Sequence, residues 1–227
     1  AFLPHARQLL SVAARAVADA RAAAVPSRLT VGHTRGLIIT PAVRHLRRHH
    51  TEAEVHTLHL ELAEVRTALF GHRVDAVVTR LPFATDGLRV TVLHDEPRVL
   101  LVARFHRLAG RESVTLDDIA TEPVPRLPAA EWDAFWRVDP RPDGTPAPDG
   151  PLVGHLEDAL ELIASGQVVA ILPAGLRAEG TRPDLTAIPL HGVEPCQVVL
   201  ATRAGESAHL VAAFRRSAQA LLTEASY

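Results

Sequence analysis

The sequence contains no methionine, no lysine and a single cysteine among 227 residues. One thiol, Cys196, excludes an internal disulfide, and its strand-like surroundings, CQVVLAT, predict a buried and unreactive side chain in a reducing compartment. Because methionine is missing even at position 1, we expect the chain to be a fragment of a longer product. The absence of lysine, together with abundant alanine and proline, indicates a coding bias more than a chemical requirement.

An excess of charge and long apolar runs are also missing. The 24 basic and 26 acidic residues leave a formal net charge of -2 at pH 7, so no overall basic field favours nucleic acid or an anionic membrane. No window approaches about 18 uninterrupted apolar residues, and the N-terminus has no signal-peptide pattern. We therefore expect neither export nor a membrane span, and predict a cytoplasmic protein. The hydrophobic content of 47% is enough for one sizeable core or two modest ones.

The first 25 residues differ in kind from the rest of the chain. Their apolar residues recur at alternating spacings of three and four, which is a heptad pattern over about three heptads. A heptad seam with small residues favours close contact between two helices, and we predict a helix that pairs subunits in a homodimer or homotetramer. A helix packed on its own domain is the alternative. The predicted dimerisation residues are Leu3, Ala6, Leu10, Ala13 and Val17.

From residue 28 onward, short apolar strands alternate with amphipathic helices. The stretches RLTVGH, EVHTLHLE and VDAVVTR are typical of strands, and helices are predicted from Thr40 and in LAEVRTALFG, which Gly71 ends. Right-handed crossovers make the sheet of such a βαβαβ unit parallel, so that strand ends and helix starts gather along one edge.

A second α/β unit is predicted further along the chain. PVPRL and QVVAILP are typical of strands, AAEWDAFWRV and GHLEDALELIASG of helices, and TLDDIA of a short helix capped by Thr115. The segment DPRPDGTPAPDG is rich in proline, glycine and aspartate, which predicts an exposed loop. The chain closes with a strand, CQVVLAT, and a helix whose apolar Leu210, Phe214 and Leu221 share one face.

Six segments together resemble the LysR-type transcriptional regulators in order and spacing. They are FLPHARQLL, VGHTRG with TPAVRHLRRHH, ALFGHRVDAVVTRLP, DGLRVTVLHDEPRVLLVA, SVTLDDIATEP and ALELIASGQVVAILP. The resemblance implies an α/β fold like that of periplasmic binding proteins, with two lobes, each a mostly parallel sheet flanked by helices, after a long linker helix. It implies a linker helix at 1–25, lobe I at 26–98 and 199–227, and lobe II at 99–198. The DNA-binding winged helix-turn-helix of the family would precede Ala1.

The resemblance also implies a function and a site. In the family, a small effector binds between the lobes, where strand ends and helix starts face one another, and controls DNA binding. Helix N-termini and arginine forks suit a carboxylate, so the expected effector is an organic acid. The alternative function is a solute-binding protein of a transport system. The predicted effector-binding residues are His33, Thr34, Arg35, Glu61, Leu62, Thr79, Arg80, Arg126, Leu127 and His155.

Two of these residues have alternative interpretations. Arg80 matches an arginine that follows the third strand in the subgroup that senses muconate and related acids, but an ion pair with Asp86 or Glu61 would equally explain a charged residue there. His155 begins a predicted helix, where its imidazole either contacts the effector or caps the helix.

The 13 histidines raise the question of a metal site. A strand through HTLHLE would place His59 and Glu61 on the same side. His45, His49 and His50, however, lie at a mostly polar helix end, where a solvated or capping role is favoured over metal binding. We predict no metal and no cofactor. We also predict no enzymatic activity, because no nucleophile elbow, glycine-rich phosphate loop or zinc-protease motif is present.

Overall fold

The computed structural model describes residues 12–13, 28–176 and 182–223. They form two compact units, which are considered separately here: unit 1 holds residues up to His94 and from Gln197, and unit 2 holds Asp95–Cys196. The sequence-based division, at residues 98 and 199, stays a prediction for the domain organisation.

Unit 1 is built on a five-stranded sheet in the order β2-β1-β3-β10-β4. The strands β1, β2 and β3 are parallel to one another as predicted, whereas β10 is antiparallel to β3. A 3₁₀ turn, Leu62–Glu64, precedes the second helix. The elements are β1 Arg28–His33, α1 Thr40–His49, β2 Glu54–His59, α2 Val65–Phe70, β3 Ala76–Arg80, β4 Leu88–Glu96, β10 Cys196–Arg203 and α5 His209–Leu221, where β4 and β10 each begin or end in unit 2.

Helices cover both faces of this sheet. On one face, α1 and α5 pack together over a core that includes Val31, Leu46 and Phe214. On the other, α2 packs against Val77 and its neighbours. The predicted apolar face of the last helix is wrong at Leu221, which is 42% exposed; the helix turns this position outward, and the next residue, Leu222, is buried instead.

Gly32, near the end of β1, faces closely packed side chains on one side of the sheet. A Cβ at Gly32 would lie 2.8 Å from the Leu60 side chain and 3.0 Å from Val77, so only glycine fits where strand and helix layers approach this closely. Leu29 and Val31 point to the opposite face. The close packing fixes the carboxyl end of β1 against its neighbours.

Unit 2 contains a three-stranded sheet in the order β8-β5-β9 and a separate pair, β6 with β7. A 3₁₀ turn lies at Asp117–Ile119. The helices α3 and α4 follow β6 and β7 respectively. The elements are β5 Arg98–Ala103, β6 Val124–Arg126, α3 Ala130–Arg137, β7 Asp149–Leu152, α4 Leu156–Ala164, β8 Ala170–Pro173 and β9 Leu185–Pro189.

The mixed α/β fold with helix-flanked sheets is confirmed, but the strand directions in unit 2 differ from the expected mostly parallel arrangement. The central strand β5 is antiparallel to both β8 and β9, and only β6 and β7 are parallel. A fully buried strand has a continuous apolar sequence whether its neighbours are parallel or antiparallel to it. The apolar sequence of β5 therefore does not indicate the direction of β8 and β9 relative to it.

Two local predictions in unit 2 are wrong. Thr115 does not cap a helix; instead the Asp118 carboxylate accepts hydrogen bonds from the Thr115 N–H at 2.9 Å and from its hydroxyl at 3.2 Å. The loop predicted to be exposed holds a buried residue, Arg141, and ends in β7. The pairing of β7 with β6 depends on Gly150, because a Cβ at this position would lie 2.8 Å from the Val124 carbonyl oxygen.

The lone cysteine is buried, as predicted. The Cys196 Sγ lies 3.5 Å from a carboxylate oxygen of Glu96, which is also buried. The other Glu96 oxygen accepts a hydrogen bond from the Gly175 N–H at 2.7 Å, so the carboxylate has a firm partner in this interior.

Candidate functional site

The carboxyl ends of three parallel strands meet at one edge of the unit 1 sheet. His33 is in register with His59 of β2 and with Val78 of β3. The chain beyond the strands is tied to this edge as well, because the Thr34 N–H donates to the Val78 carbonyl at 3.1 Å and the Leu60 N–H donates to the His33 carbonyl at 3.0 Å. The strand ends of the βαβαβ unit therefore gather along one edge, as predicted.

The strand order creates a switch point between β1 and β3. The chain leaves β1 toward β2 on one side and returns as β3 on the other, so the two connections diverge at the carboxyl ends of β1 and β3. In open α/β sheets, ligands bind at this kind of position.

Two threonine hydroxyls face each other at the switch point. The Thr34 hydroxyl donates to the Thr79 hydroxyl at 3.2 Å, and both residues are buried. A hydroxyl has one donor and two acceptor sites, so this pair retains hydrogen-bonding capacity beyond the single contact between them. Both residues belong to the set predicted from the sequence.

Arg80, at the end of β3, is 7% exposed and contacts the turn that follows β1. Its Nη1 donates to the Arg35 carbonyl oxygen at 2.6 Å. Each of the two predicted roles, ligand anchor or ion pair with Asp86 or Glu61, omitted this backbone contact. Arg80 therefore holds the 34–37 turn in place, whatever else it binds.

An ion pair connects this turn to the 3₁₀ turn that precedes α2. The Arg35 Nη2 lies 3.7 Å from a Glu61 carboxylate oxygen, and the two side chains are 37% and 63% exposed. An ion pair this open to water contributes little to stability and is readily exchanged for another partner. The accessible Arg35 fork is the cationic group of this edge best placed to accept a soluble anion.

Glu61 lies at the start of the 3₁₀ turn and not in β2. Its N–H donates to the Glu64 carboxylate at 3.1 Å, and this hydrogen bond, with Arg73 nearby, holds the pKa of Glu64 below its ordinary value. The prediction that one strand places His59 and Glu61 on the same side is wrong, because β2 ends at His59. Leu62 packs against the apolar cluster around Leu60.

The three predicted site residues of unit 2 lie near its two-stranded sheet and the helix that follows. Arg126 is exposed and its Nη1 lies 3.6 Å from Asp149. The Leu127 N–H donates to the Asp133 carboxylate at 2.7 Å. His155 is the N-cap residue of α4, but its side chain makes no capping hydrogen bond, so the capping interpretation is wrong and effector contact stays a prediction.

The histidine-rich end of α1 is explained by contacts within unit 1. His45 Nδ1 lies 3.0 Å from the Ser217 hydroxyl of α5, and His49 Nδ1 donates to the His45 carbonyl at 2.9 Å. Among the described residues, no group of three or more histidine, cysteine, aspartate or glutamate side chains has a metal-binding arrangement.

The predicted dimerisation helix falls almost entirely outside the described residues. Four of the five predicted dimerisation residues lie outside the described part of the chain: Leu3, Ala6, Leu10 and Val17. The fifth, Ala13, is helical and exposed. Within the described part of the chain, no helix combines the length and apolarity that crossing a membrane requires.

Sequence reasoning missed Arg141 of unit 2, which is buried although its loop is rich in proline and glycine, and whose guanidinium has no hydrogen-bond partner among the described residues. Its local sequence, DPRPDG, carries turn signals and nothing that indicates burial.

Comparisons with known proteins agree with the fold. The family model of the LysR substrate binding domain matches residues 26–223. No curated protein matched the chain by sequence. Among solved structures, the BenM effector binding domain with its effector benzoate superposes with a TM-score of 0.70 at 19% identity, covering 87% of this chain and 92% of that one.

Two further solved structures are similar over more of the chain, one of them the full-length CbnR. CbnR complexed with its target DNA has a TM-score of 0.69 and 21% identity, with 96% of this chain and 81% of that chain covered. The OxyR C206 mutant of Corynebacterium glutamicum has a TM-score of 0.68 and 21% identity, with coverage of 96% and 72%. At these identities the similarity establishes the fold, and the chemistry of the site has to be argued from its residues.

Proposed function

Since the chain belongs to the LysR substrate binding domain family, we propose that it is the part of a LysR-type transcriptional regulator that senses a small organic acid. The family and fold are those of regulatory effector-binding domains and not of enzymes. In this proposal, effector binding changes DNA binding by a winged helix-turn-helix domain N-terminal to residue 1. The protein acts in the cytoplasm, and its subunits pair through a helix at 1–25.

The observation that carries the proposal is the cluster of polar groups at the switch point of the unit 1 sheet. Two buried hydroxyls, Thr34 and Thr79, pair with each other at the carboxyl ends of β1 and β3, and the buried Arg80, which follows Thr79, donates to the Arg35 carbonyl. The hydroxyls retain hydrogen-bonding capacity beyond their mutual contact, which a ligand with several acceptor oxygens can use.

Each residue has a distinct role in the proposed binding. The Arg35 guanidinium, exchanging Glu61 for the effector, pairs with a carboxylate in two parallel hydrogen bonds. The hydroxyls of Thr34 and Thr79 donate to or accept from the same ligand, and Arg80 fixes the turn that carries Arg35. His33, Glu61 and Leu62 complete the rim of the edge.

From unit 2, the proposal adds the three residues that the family resemblance assigned to effector binding. Arg126 is exposed and its ion pair with Asp149 is open to solvent, so its guanidinium is available to an anion. The exposed His155 ring provides a further polar contact, and Leu127 is included with its N–H donated to Asp133.

An organic acid is supported by two independent considerations. The edge is lined by arginine and hydroxyl groups, which suit carboxylate oxygens, and the related BenM domain is described with benzoate as its effector. The complex of CbnR with DNA supports the coupling of this domain to DNA binding. Pairing of subunits in a dimer or tetramer completes the proposed assembly.

The proposal is tested by calorimetry with benzoate and muconate as probes at constant ionic strength. Removing a hydroxyl without changing the side-chain shape, in Thr34→Val or Thr79→Val, is expected to weaken binding about 3- to 10-fold, the scale of one hydrogen bond. Thr51→Val, in the exposed turn before β2, is the matched control and should bind like the parent. Equal affinities of all three variants, or no carboxylate binding by the parent, would contradict the proposed site.

A further inference from the structure

The Arg141 guanidinium of unit 2 has no hydrogen-bond partner in the part of the chain that the structure describes. The residue is 7% exposed, and Nε, Nη1 and Nη2 are all shielded from solvent. A guanidinium has five N–H donors and stays protonated in proteins, so its charge persists in this position. Burial lowers the pKa of Arg141, an effect that Asp139 opposes.

The acceptors nearest to Arg141 in sequence are engaged by other donors. The neighbouring arginine, Arg137, contacts the carboxylates of Asp133 at 3.1 Å, Asp139 at 3.4 Å and Asp149 at 2.5 Å. The second oxygen of Asp139 accepts from the Ala147 N–H at 3.1 Å. Among the described residues, none of these carboxylates accepts a hydrogen bond from Arg141.

The turn that contains Arg141 contributes no acceptor either. Asp143 Oδ1 accepts from the N–H and the hydroxyl of Thr145, at 2.9 and 2.7 Å. The backbone closes on itself, because the Arg141 N–H donates to the Thr145 carbonyl and the Gly144 N–H donates to the Arg141 carbonyl, both at 2.8 Å. The backbone of the turn therefore makes hydrogen bonds within the turn, whereas the Arg141 side chain makes none with it.

A second buried arginine shows how unit 2 treats such a group when a partner exists. Arg98 lies with its guanidinium 3.7 Å from the centre of the Phe135 ring and donates to the Phe135 carbonyl at 2.9 Å. A ring face and a carbonyl compensate its charge. Arg141 has neither compensation, and an unpaired buried charge is among the most costly features a protein retains.

We propose that Arg141 is the anchor of a second ligand site, in unit 2, that takes a small oxyanion through its guanidinium fork. Carboxylate and phosphate groups share the planar pair of acceptors that matches this fork. The site is separate in its residues from the proposed effector site of unit 1, and does not depend on it.

Residues 142–146 form the exposed tip of the turn, whereas Arg141 and Ala147 on either side are buried. Because the guanidinium nitrogens are shielded from solvent, we expect an anion to reach them by displacing this tip. Binding therefore orders the turn around the ligand and is coupled to its opening.

The test uses the whole chain with sodium acetate and sodium phosphate as probes, against sodium chloride at the same ionic strength. Calorimetry gives the affinity, and the Nε–H resonance of Arg141 reports contact directly. Arg141→Met removes the fork and keeps the length, and is expected to weaken binding roughly 10- to 150-fold, as for the loss of a charged hydrogen bond. Arg104→Met, at an exposed position of unit 2, is the matched control and should bind like the parent.

The two probes also decide the class of ligand, since tighter acetate binding identifies a carboxylate site and tighter phosphate binding a phosphate site. The proposal is overturned if neither anion binds the parent more tightly than Arg141→Met. If Arg141→Met does not fold, exchange of the Gly144 amide in the parent is decisive: slowing by either anion supports the site, and unchanged exchange with an unmoved Nε–H resonance overturns it.

Discussion

Replacement of Arg80 by glutamine should affect both the stability of the fold and the affinity for an anionic effector. The guanidinium is buried and donates to the Arg35 carbonyl at 2.6 Å, so the shorter, uncharged side chain removes a charged hydrogen bond from the interior. Such a bond contributes about 1.5–3 kcal/mol to the free energy of unfolding. For a chain of this size, that corresponds to a fall of roughly 3–12 °C in Tm.

The effect on binding follows from the same contact. Arg80 holds the turn that carries Thr34 and Arg35, so its loss displaces the groups proposed to contact the carboxylate. If the guanidinium also touches the effector, the affinity for an anion falls by roughly 10- to 150-fold, again the scale of a charged hydrogen bond. If Arg80 only holds the turn, Tm falls and the affinity of the folded protein falls by less than this range, through displacement of Thr34 and Arg35 alone.

Thermal unfolding and calorimetry with benzoate and muconate separate these outcomes. Arg89→Gln, at an exposed position of β4, serves as the control for a general loss of positive charge. The reasoning is refuted if Arg80→Gln unfolds at the same temperature as Arg89→Gln, because a buried charged hydrogen bond cannot be removed without cost.

Three further predictions concern other parts of the chain. Deletion of residues 1–25 should weaken self-association in sedimentation experiments and leave the α/β units folded; an unchanged oligomer would exclude the helix as the main contact. Gly150→Ala should lower the free energy of unfolding by about 1–3 kcal/mol in denaturant titrations, because its Cβ would lie 2.8 Å from the Val124 carbonyl, and wild-type stability would contradict that close approach. The pKa of Asp118 is lowered, chiefly by the Thr115 N–H, so Asp118→Asn should reduce Tm at pH 7 and lose this effect as pH falls below about 3.9; a difference that persists in acid would refute the assignment.

Local patterns predicted the central part of unit 1 well because its strands follow one another through short right-handed connections. The apolar runs of β1, β2 and β3 and the helix signals at Thr40 and Gly71 are sufficient for a parallel arrangement. That arrangement in turn brings Thr34, Thr79 and Arg80 to one edge, so their proximity was predictable from the sequence, whereas their role in effector binding stays a prediction.

Features that depend on distant partners were not predictable. The strand β7 exists because Asp149 and Leu152 pair with β6, and nothing in a segment of proline, glycine and aspartate indicates that partner. The direction of β5 relative to β8 and β9 is equally invisible in an apolar run.

The partners of charged residues were the least predictable part of the site. The sequence offers many carboxylates to Arg80, but the contact found is a backbone carbonyl, and any residue type at position 35 would present the same group. Burial of Arg141 likewise arises from tertiary packing and leaves no trace in the turn signals around it.

Amide NMR of the labelled chain, titrated with benzoate and with muconate, tests whether the carboxyl edge of the unit 1 sheet binds an organic acid. We expect saturable changes in amide chemical shift that are largest at Thr34, Arg35, Glu61, Thr79 and Arg80. Saturable shifts confined to residues away from this edge, or an absence of saturable shifts with both acids, would contradict the proposed site.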